Sequence, residues 1–216
     1  MRPPRPIPLD LYLVTDRVLS GPRGVEAVVA AAVCGGVTLV QLRDDETPAA
    51  ELVPLARRLK ALLLPHGVSL IINNRLDVAL EAGADGVHVG QTDMPTAEAR
   101  DRLGPGAILG LSITDPAQLA AVDPGVIDYL GVGPVFATGT KPDAAPAMGL
   151  DGLRACRRAA RSLPIVAIGG IDATNAAGMV AAGADGVAVV SALCTADDPA
   201  AAARHLVSIV RRAKQA

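Results

Sequence analysis

Eight short apolar runs, each closing in or followed directly by glycine or polar residues and each separated from the next by a helix-forming segment, constrain this chain more than any other feature. The runs are Leu11–Asp16, Thr38–Arg43, Ser69–Asn74, Gly86–Gly90, Ile108–Ser112, Tyr129–Val132, Ile165–Gly170 and Gly186–Ser191. Apolar runs of this length between turn signals read as strands buried on both faces. Between and after them, helices are predicted over Gly24–Cys34, Pro48 to about Leu64, Leu76–Glu81, Pro95–Leu103, Pro116–Val122, Leu150–Ser162, Thr174–Ala182 and Pro199–Lys214. Thr47 is expected to cap the second of these, with Pro48 at its first helical position.

Strand–helix alternation implies a parallel sheet, because parallel neighbours need a crossover. Eight units imply closure, so the expected fold is α/β, a single (β/α)8 TIM barrel with outer helices. It would form one domain over residues 1–216, with residues 1–9 an irregular N-terminal segment. The length sits near the lower end for that fold. Internal echoes agree: Ala82-Gly83-Ala84-Asp85-Gly86-Val87 recurs as Ala182-Gly183-Ala184-Asp185-Gly186-Val187, and Gly35-Gly36-Val37-Thr38 is a weaker copy. In each, a glycine is expected in the left-handed position that ends a helix and returns the chain to the sheet.

Several function classes are disfavoured. The formal charge is −2, with no Trp, two Tyr and one Phe, which supplies neither a basic footprint nor stacking platforms for nucleic acid. No apolar run reaches the length of a membrane span, and Met1–Pro8 lacks the apolar middle of a signal peptide. A cytoplasmic protein without membrane or nucleic-acid partners is expected, its oligomeric state open. Cys34, Cys156 and Cys194 lie far apart without metal-ligand spacing, and Cys34 and Cys156 are expected to pack as small apolar groups.

In such a barrel the active site lies at the C-terminal strand ends. Those ends carry Thr15 and Asp16; Gln41 and Arg43; Asn73 and Asn74; Gly90, Gln91 and Asp93; Ser112; Thr138, Thr140 and Lys141; Gly169 and Gly170; and Ser191. Polar groups sorted in this way point to one convergent pocket. Within the stretch Gly131–Pro142, hydroxyls, an ammonium and close-set glycines follow a buried strand, a set suited to phosphate oxygens. A surface turn would need less chemistry. Gly169-Gly170 before a helix, with Val190-Ser191 ending the next strand, fits a barrel phosphate site after strands seven and eight. Arg43, Lys141 and Asp93 suggest a second, more highly charged phosphate group together with Mg²⁺, which is typically held by one or two carboxylates plus phosphates. Asp93 is the foremost protein ligand, and Asn74 could add an amide oxygen. His88, between Val87 and Val89, reads as a buried, hydrogen-bonded histidine, with a general base as the other reading.

Tyr12-Leu13-Val14-Thr15-Asp16, Val40-Gln41-Leu42-Arg43, Gly90-Gln91-Thr92-Asp93-Met94, Gly133 through Pro142, Ile168-Gly169-Gly170-Ile171 and Val190-Ser191 together resemble the thiamine-phosphate synthase family, in matching order from Leu11 to the last helix. The Thr138-Gly139-Thr140-Lys141-Pro142 loop is the most specific of these motifs. The resemblance implies a transferase that couples a hydroxymethylpyrimidine diphosphate to a thiazole phosphate with Mg²⁺, giving thiamine phosphate and pyrophosphate. It implies that Gln41, Arg43, Asp45, Asn73, Ser112 and Lys141 hold the pyrimidine diphosphate, with Arg43, Lys141 and Ser112 catalytic. Asp93 and Asn74 would hold the metal, and Thr138, Gly139, Thr140, Gly170, Val190 and Ser191 the thiazole phosphate. Two positions depart from the family: Asp45 stands where Lys is usual, and Asn74 where Asp is usual. The first exchanges a cation for an anion, and the second removes a metal carboxylate. Two other readings therefore stand beside the transferase: a related thiazole-phosphate tautomerase, and a non-catalytic barrel that binds phosphate ligands.

Overall fold

The computed structural model describes residues 7–141 and 144–216. Pro142, at the end of the phosphate-loop stretch, and residues 1–6 of the expected irregular segment lie outside the described residues.

Eight strands form a closed, all-parallel barrel in sequence order: β1 Leu11–Val14, β2 Leu39–Leu42, β3 Ser69–Asn73, β4 Gly86–Val89, β5 Ile108–Ile113, β6 Tyr129–Val132, β7 Ile165–Ile168 and β8 Gly186–Val189. The helices are α1 Arg17–Ser20, α2 Gly24–Cys34, α3 Ala49–Leu63, α4 Leu76–Ala82, α5 Thr96–Leu103, α6 Gly149–Ala159, α7 Ala176–Ala181, α8 Ser191–Cys194 and α9 Pro199–Ala213, with a 3₁₀ turn over Pro116–Ala121. The expected TIM barrel is thus the observed one. Nearly every strand residue is buried, on one side beneath the helices and on the other inside the barrel. No helix among the described residues is long and apolar enough to cross a membrane.

A repeated device ties the strands in pairs. Just before β2, β4, β6 and β8 stand Thr38, Asp85, Asp128 and Asp185. Their side-chain oxygens accept from the backbone N–H of Leu11, Leu70, Leu109 and Ile165, at 3.2, 2.8, 2.8 and 2.7 Å, on the strand before. Their own N–H groups donate back to the carbonyls of those same four residues. A cation from the helix that precedes the first strand of the pair completes three of the four: Lys60 of α3 on Asp85, Arg100 of α5 on Asp128 and Arg157 of α6 on Asp185. The recurring Ala-Gly-Ala-Asp-Gly-Val segments are therefore construction joints. Their first glycines, Gly83 and Gly183, have φ of 67° and 102°, as the sequence predicts. Their second glycines are required by close approach: a Cβ at Gly86 or Gly186 would lie 1.9 Å from Ile108 O or 1.6 Å from Leu9 O.

Four local expectations are corrected. Thr47 does not cap α3; its Oγ1 and N–H both donate to Asp44, at 2.8 and 2.9 Å, so Pro48 takes the cap position and Ala49 starts the helix. Asp172 draws Thr174 into a similar turn, and α7 begins only at Ala176. Ser191 opens α8 rather than ending a strand, and α1 was not expected at all. Cys34 is exposed, whereas Cys156 is buried as expected.

Candidate active site

Side chains alternate across each strand, so residues two apart share the barrel interior. That parity brings Tyr12 and Val14, Gln41 and Arg43, His88 and Gly90, and Ser112 and Thr114 to one cavity of about 620 Å³ at the C-terminal strand ends. Asn73, Asn74, Asp45 and Asp93 line the side nearest β2–β4. Thr138, Thr140, Lys141, Gly169, Gly170, Val190 and Ser191 line the side nearest β6–β8. Gly139 is the exception among the predicted site residues: it borders an adjoining recess of about 690 Å³ that also takes in Arg17, Asp44 and Glu46.

Arg43 is held before any ligand arrives. Its Nη2 donates to Asp16 Oδ2 at 2.7 Å and to the Thr140 carbonyl at 3.1 Å, joining the loops after β1, β2 and β6. Asp16 is itself fixed, because its Oδ1 accepts from Leu19 N as the cap of α1. Thr138 and Thr140 share a hydroxyl–hydroxyl bond of 2.9 Å. Val135 N and Phe136 N donate to the carbonyls of Ile168 and Gly169, so the β6 loop runs along the end of β7. Gly170 is needed where they meet: its φ is 63°, and a Cβ there would lie 2.7 Å from Ala137 O. Hydroxyls, a glycine turn and the start of α8 thus converge on one corner.

The opposite wall is acidic and amidic. Asp93 Oδ2 accepts from Gly90 N at 2.6 Å, and Asp45 Oδ1 accepts from Asn73 Nδ2 at 3.0 Å. Asn74 takes a left-handed backbone, φ 54°, a conformation that Asn tolerates better than most residues. Asp45 faces the same cavity as Asn74 and Asp93, so the carboxylate found where a lysine was expected belongs to this wall. Among the described residues no group of three or more His, Cys, Asp or Glu could enclose a metal. The oxygens of Asp93, Asn74 and Asp45 suit instead a hard cation that shares its shell with phosphate oxygens and water.

The barrel floor was not read from the sequence. Gln41 Nε2 donates to Tyr12 Oη at 2.7 Å, Tyr12 and Tyr129 hydroxyls bond at 2.8 Å, Tyr129 Oη meets His88 Nδ1 at 2.9 Å, and His88 Nε2 meets Ser112 Oγ at 2.8 Å. The rings fit because β5 and β6 offer glycines: a Cβ at Gly110 would lie 2.3 Å from the Tyr129 ring, and one at Gly131 would lie 2.9 Å from His88. Burial pushes the His88 pKa down to about 4 and both tyrosines above their usual range. His88 is therefore the hydrogen-bonded histidine of the first reading and is neutral near pH 7. The signal that could have located the tyrosines is parity: Tyr12 and Tyr129 stand two residues before Val14 and Gly131.

The family model described as thiamine monophosphate synthase matches residues 11–193. A thiamine-phosphate synthase of Xanthobacter autotrophicus is 56% identical over 211 residues, 98% of this chain and 100% of the relative. One of Moorella thermoacetica is 52% identical over 207 residues, 95% and 97% of the two chains. Among solved structures, a thiamine phosphate pyrophosphorylase from Pyrococcus furiosus superposes with a TM-score of 0.86 at 34% identity, covering 96% of this chain and 98% of that one. A 3-hexulose-6-phosphate synthase, at TM-score 0.69 and 19% identity over 93% and 99%, shares the fold.

Proposed function

This chain belongs to the thiamine monophosphate synthase family and is a transferase, and from that premise we propose that it joins 4-amino-2-methyl-5-(diphosphooxymethyl)pyrimidine to 4-methyl-5-(2-phosphoethyl)thiazole. The products are thiamine phosphate and pyrophosphate. The observation that carries this reading is one cavity of about 620 Å³ that joins a corner of hydroxyls and glycines to an acidic, amidic wall, with Arg43 and Lys141 also lining it.

In the proposed reaction the carbon–oxygen bond to the diphosphate breaks, and its electron pair leaves with pyrophosphate. The exocyclic carbon becomes a pyrimidine-stabilised cation, and the thiazole nitrogen lone pair closes the new carbon–nitrogen bond. No proton need be abstracted and no protein nucleophile is required. Arg43 and Lys141 stabilise charge growing on the leaving group, the electrostatic contribution that typically dominates such steps. Arg43 does so from a fixed position, because Asp16 and the Thr140 carbonyl already hold its guanidinium. Gln41, Asn73, Ser112 and Asp45 border the pyrimidine diphosphate. Thr138, Gly139, Thr140, Gly170, Val190 and Ser191 border the thiazole phosphate.

Asp93, with Asn74, would hold Mg²⁺ on the diphosphate wall, where the ion supplies positive charge to the departing oxygens. Asp45 returns a carboxylate to a wall that has Asn74 in place of the family's usual Asp. The threonines and Lys141 on one side of the cavity, with Asn74 and Asp93 on the other and Arg43 also lining it, favour transfer over tautomerisation of a thiazole phosphate alone, since one phosphate would not need both sides. The proposal is tested by supplying both substrates with Mg²⁺ and following pyrophosphate and thiamine phosphate together.

A further inference from the structure

The chain of bonds across the barrel floor has a direction, which follows from counting protons. Gln41 donates to Tyr12 Oη through Nε2, and the buried Tyr12 hydroxyl then gives its own proton to Tyr129 Oη, 2.8 Å away. Tyr129, also buried, must give its proton to the remaining neighbour, His88 Nδ1. No buried side-chain nitrogen or oxygen among the described residues is left unpaired, so each link is used. An imidazole that accepts at Nδ1 and is neutral carries its proton on Nε2, the atom that faces Ser112 Oγ at 2.8 Å. Ser112 thus receives a hydrogen bond from beneath, and its own proton is left for the cavity it lines.

We propose that His88 is a positioning residue: held by the tyrosine pair as the Nε2–H tautomer, it makes Ser112 present a hydrogen-bond donor to the bound heterocycle. The group recognised is an acceptor, such as a ring nitrogen. The same polarity leaves Gln41 Oε1 as an acceptor suited to an amino group. An aminopyrimidine offers both, a ring nitrogen beside an exocyclic amine. The floor thereby distinguishes such a ring from its oxo analogue, which reverses the pattern and leaves buried partners unmatched. This rests on the transferase reading for the identity of the ligand, and on the floor geometry alone for the tautomer.

The tautomer is read first, without substrate, from the ring-nitrogen shifts of ¹⁵N-histidine-labelled protein near pH 7. His66 and His205 are exposed, and the His88 signals are those absent from His88→Asn. A protonated Nε2 with a bare Nδ1 is expected. A protonated Nδ1 or an imidazolium overturns the assignment, whatever the chain catalyses. Kinetics then test the role. His88→Asn retains an acceptor for Tyr129 but loses the donor to Ser112, and is expected to lower kcat about tenfold. His88→Gln, whose amide can reach Ser112, should recover most of that loss. In a Ser112→Ala background His88→Asn should cost little more. Equal losses in both backgrounds, in variants with unchanged thermal unfolding, would show that His88 acts only as packing.

Discussion

The guanidinium of Arg43 and the carboxylate of Asp16 meet at 2.7 Å across the neighbouring strands β1 and β2, and both side chains are 17% exposed. Asp16 is also the cap of α1, so one carboxylate couples a helix that the sequence did not announce to an arginine that lines the cavity. Both residues border the recess that adjoins the cavity, and Arg43 lines the cavity as well, so the pair fixes where that guanidinium stands.

Asp16→Asn is therefore expected to reduce kcat about tenfold while changing thermal stability little, since a partly exposed pair contributes modestly. Steady-state rates alongside a melting curve check it. A large fall in stability with kcat unchanged would make the pair structural.

Asp45 gives a second test. If it shares the metal wall with Asp93 and Asn74, Asp45→Lys should raise the Mg²⁺ concentration needed for half-maximal rate. Restoring a carboxylate with Asn74→Asp in the same chain should lower it again. A Mg²⁺ titration that does not move in Asp45→Lys would confine Asp45 to holding Asn73 through their 3.0 Å bond.

The strand-pairing aspartates carry stability rather than chemistry. Asp128 and Arg100 are 8% and 12% exposed, and Arg100 also donates to the carbonyls of Val126, Gly104 and Ala107. Asp128→Ala leaves that guanidinium nearly buried without its carboxylate and is expected to cost about 3–5 kcal/mol. Asp185→Ala should cost less, because its side chain is 51% exposed. Denaturant unfolding of both variants measures the order, and the reverse order would contradict it.

His88 sets a pH dependence of folding. Its pKa falls from 6.5 to about 4 on burial, so between those values the unfolded chain binds the extra proton. Stability is full above the unfolded value and is lost as pH falls toward 4, by on the order of 3 kcal/mol from this group. His88→Asn should flatten that part of the stability–pH curve. An unchanged curve would assign acid sensitivity to the carboxylates instead.

How far the sequence carried varies with the kind of contact. The strands were legible because parallel strands are buried on both faces and read as unbroken apolar runs, as at Ile165–Ile168. The cavity wall was legible because barrel chemistry gathers at strand ends, and residues as distant as Gln41 and Ser191 do line one space. The floor was not. Tyr12, His88 and Tyr129 sit inside strands among apolar neighbours, and only the register that pairs Tyr12 with Ala188 and His88 with Gly110 brings them together. The α3 cap was missed because Asp44, three residues back, outcompetes Thr47's own bonding to the helix.

The most direct test of the proposed reaction incubates the chain with the pyrimidine diphosphate, the thiazole phosphate and Mg²⁺, and measures pyrophosphate and thiamine phosphate in the same sample. The two products should appear in equal amounts, and only when both substrates are present. Thiamine phosphate absent above background, from folded protein that still binds the thiazole phosphate, would contradict the account.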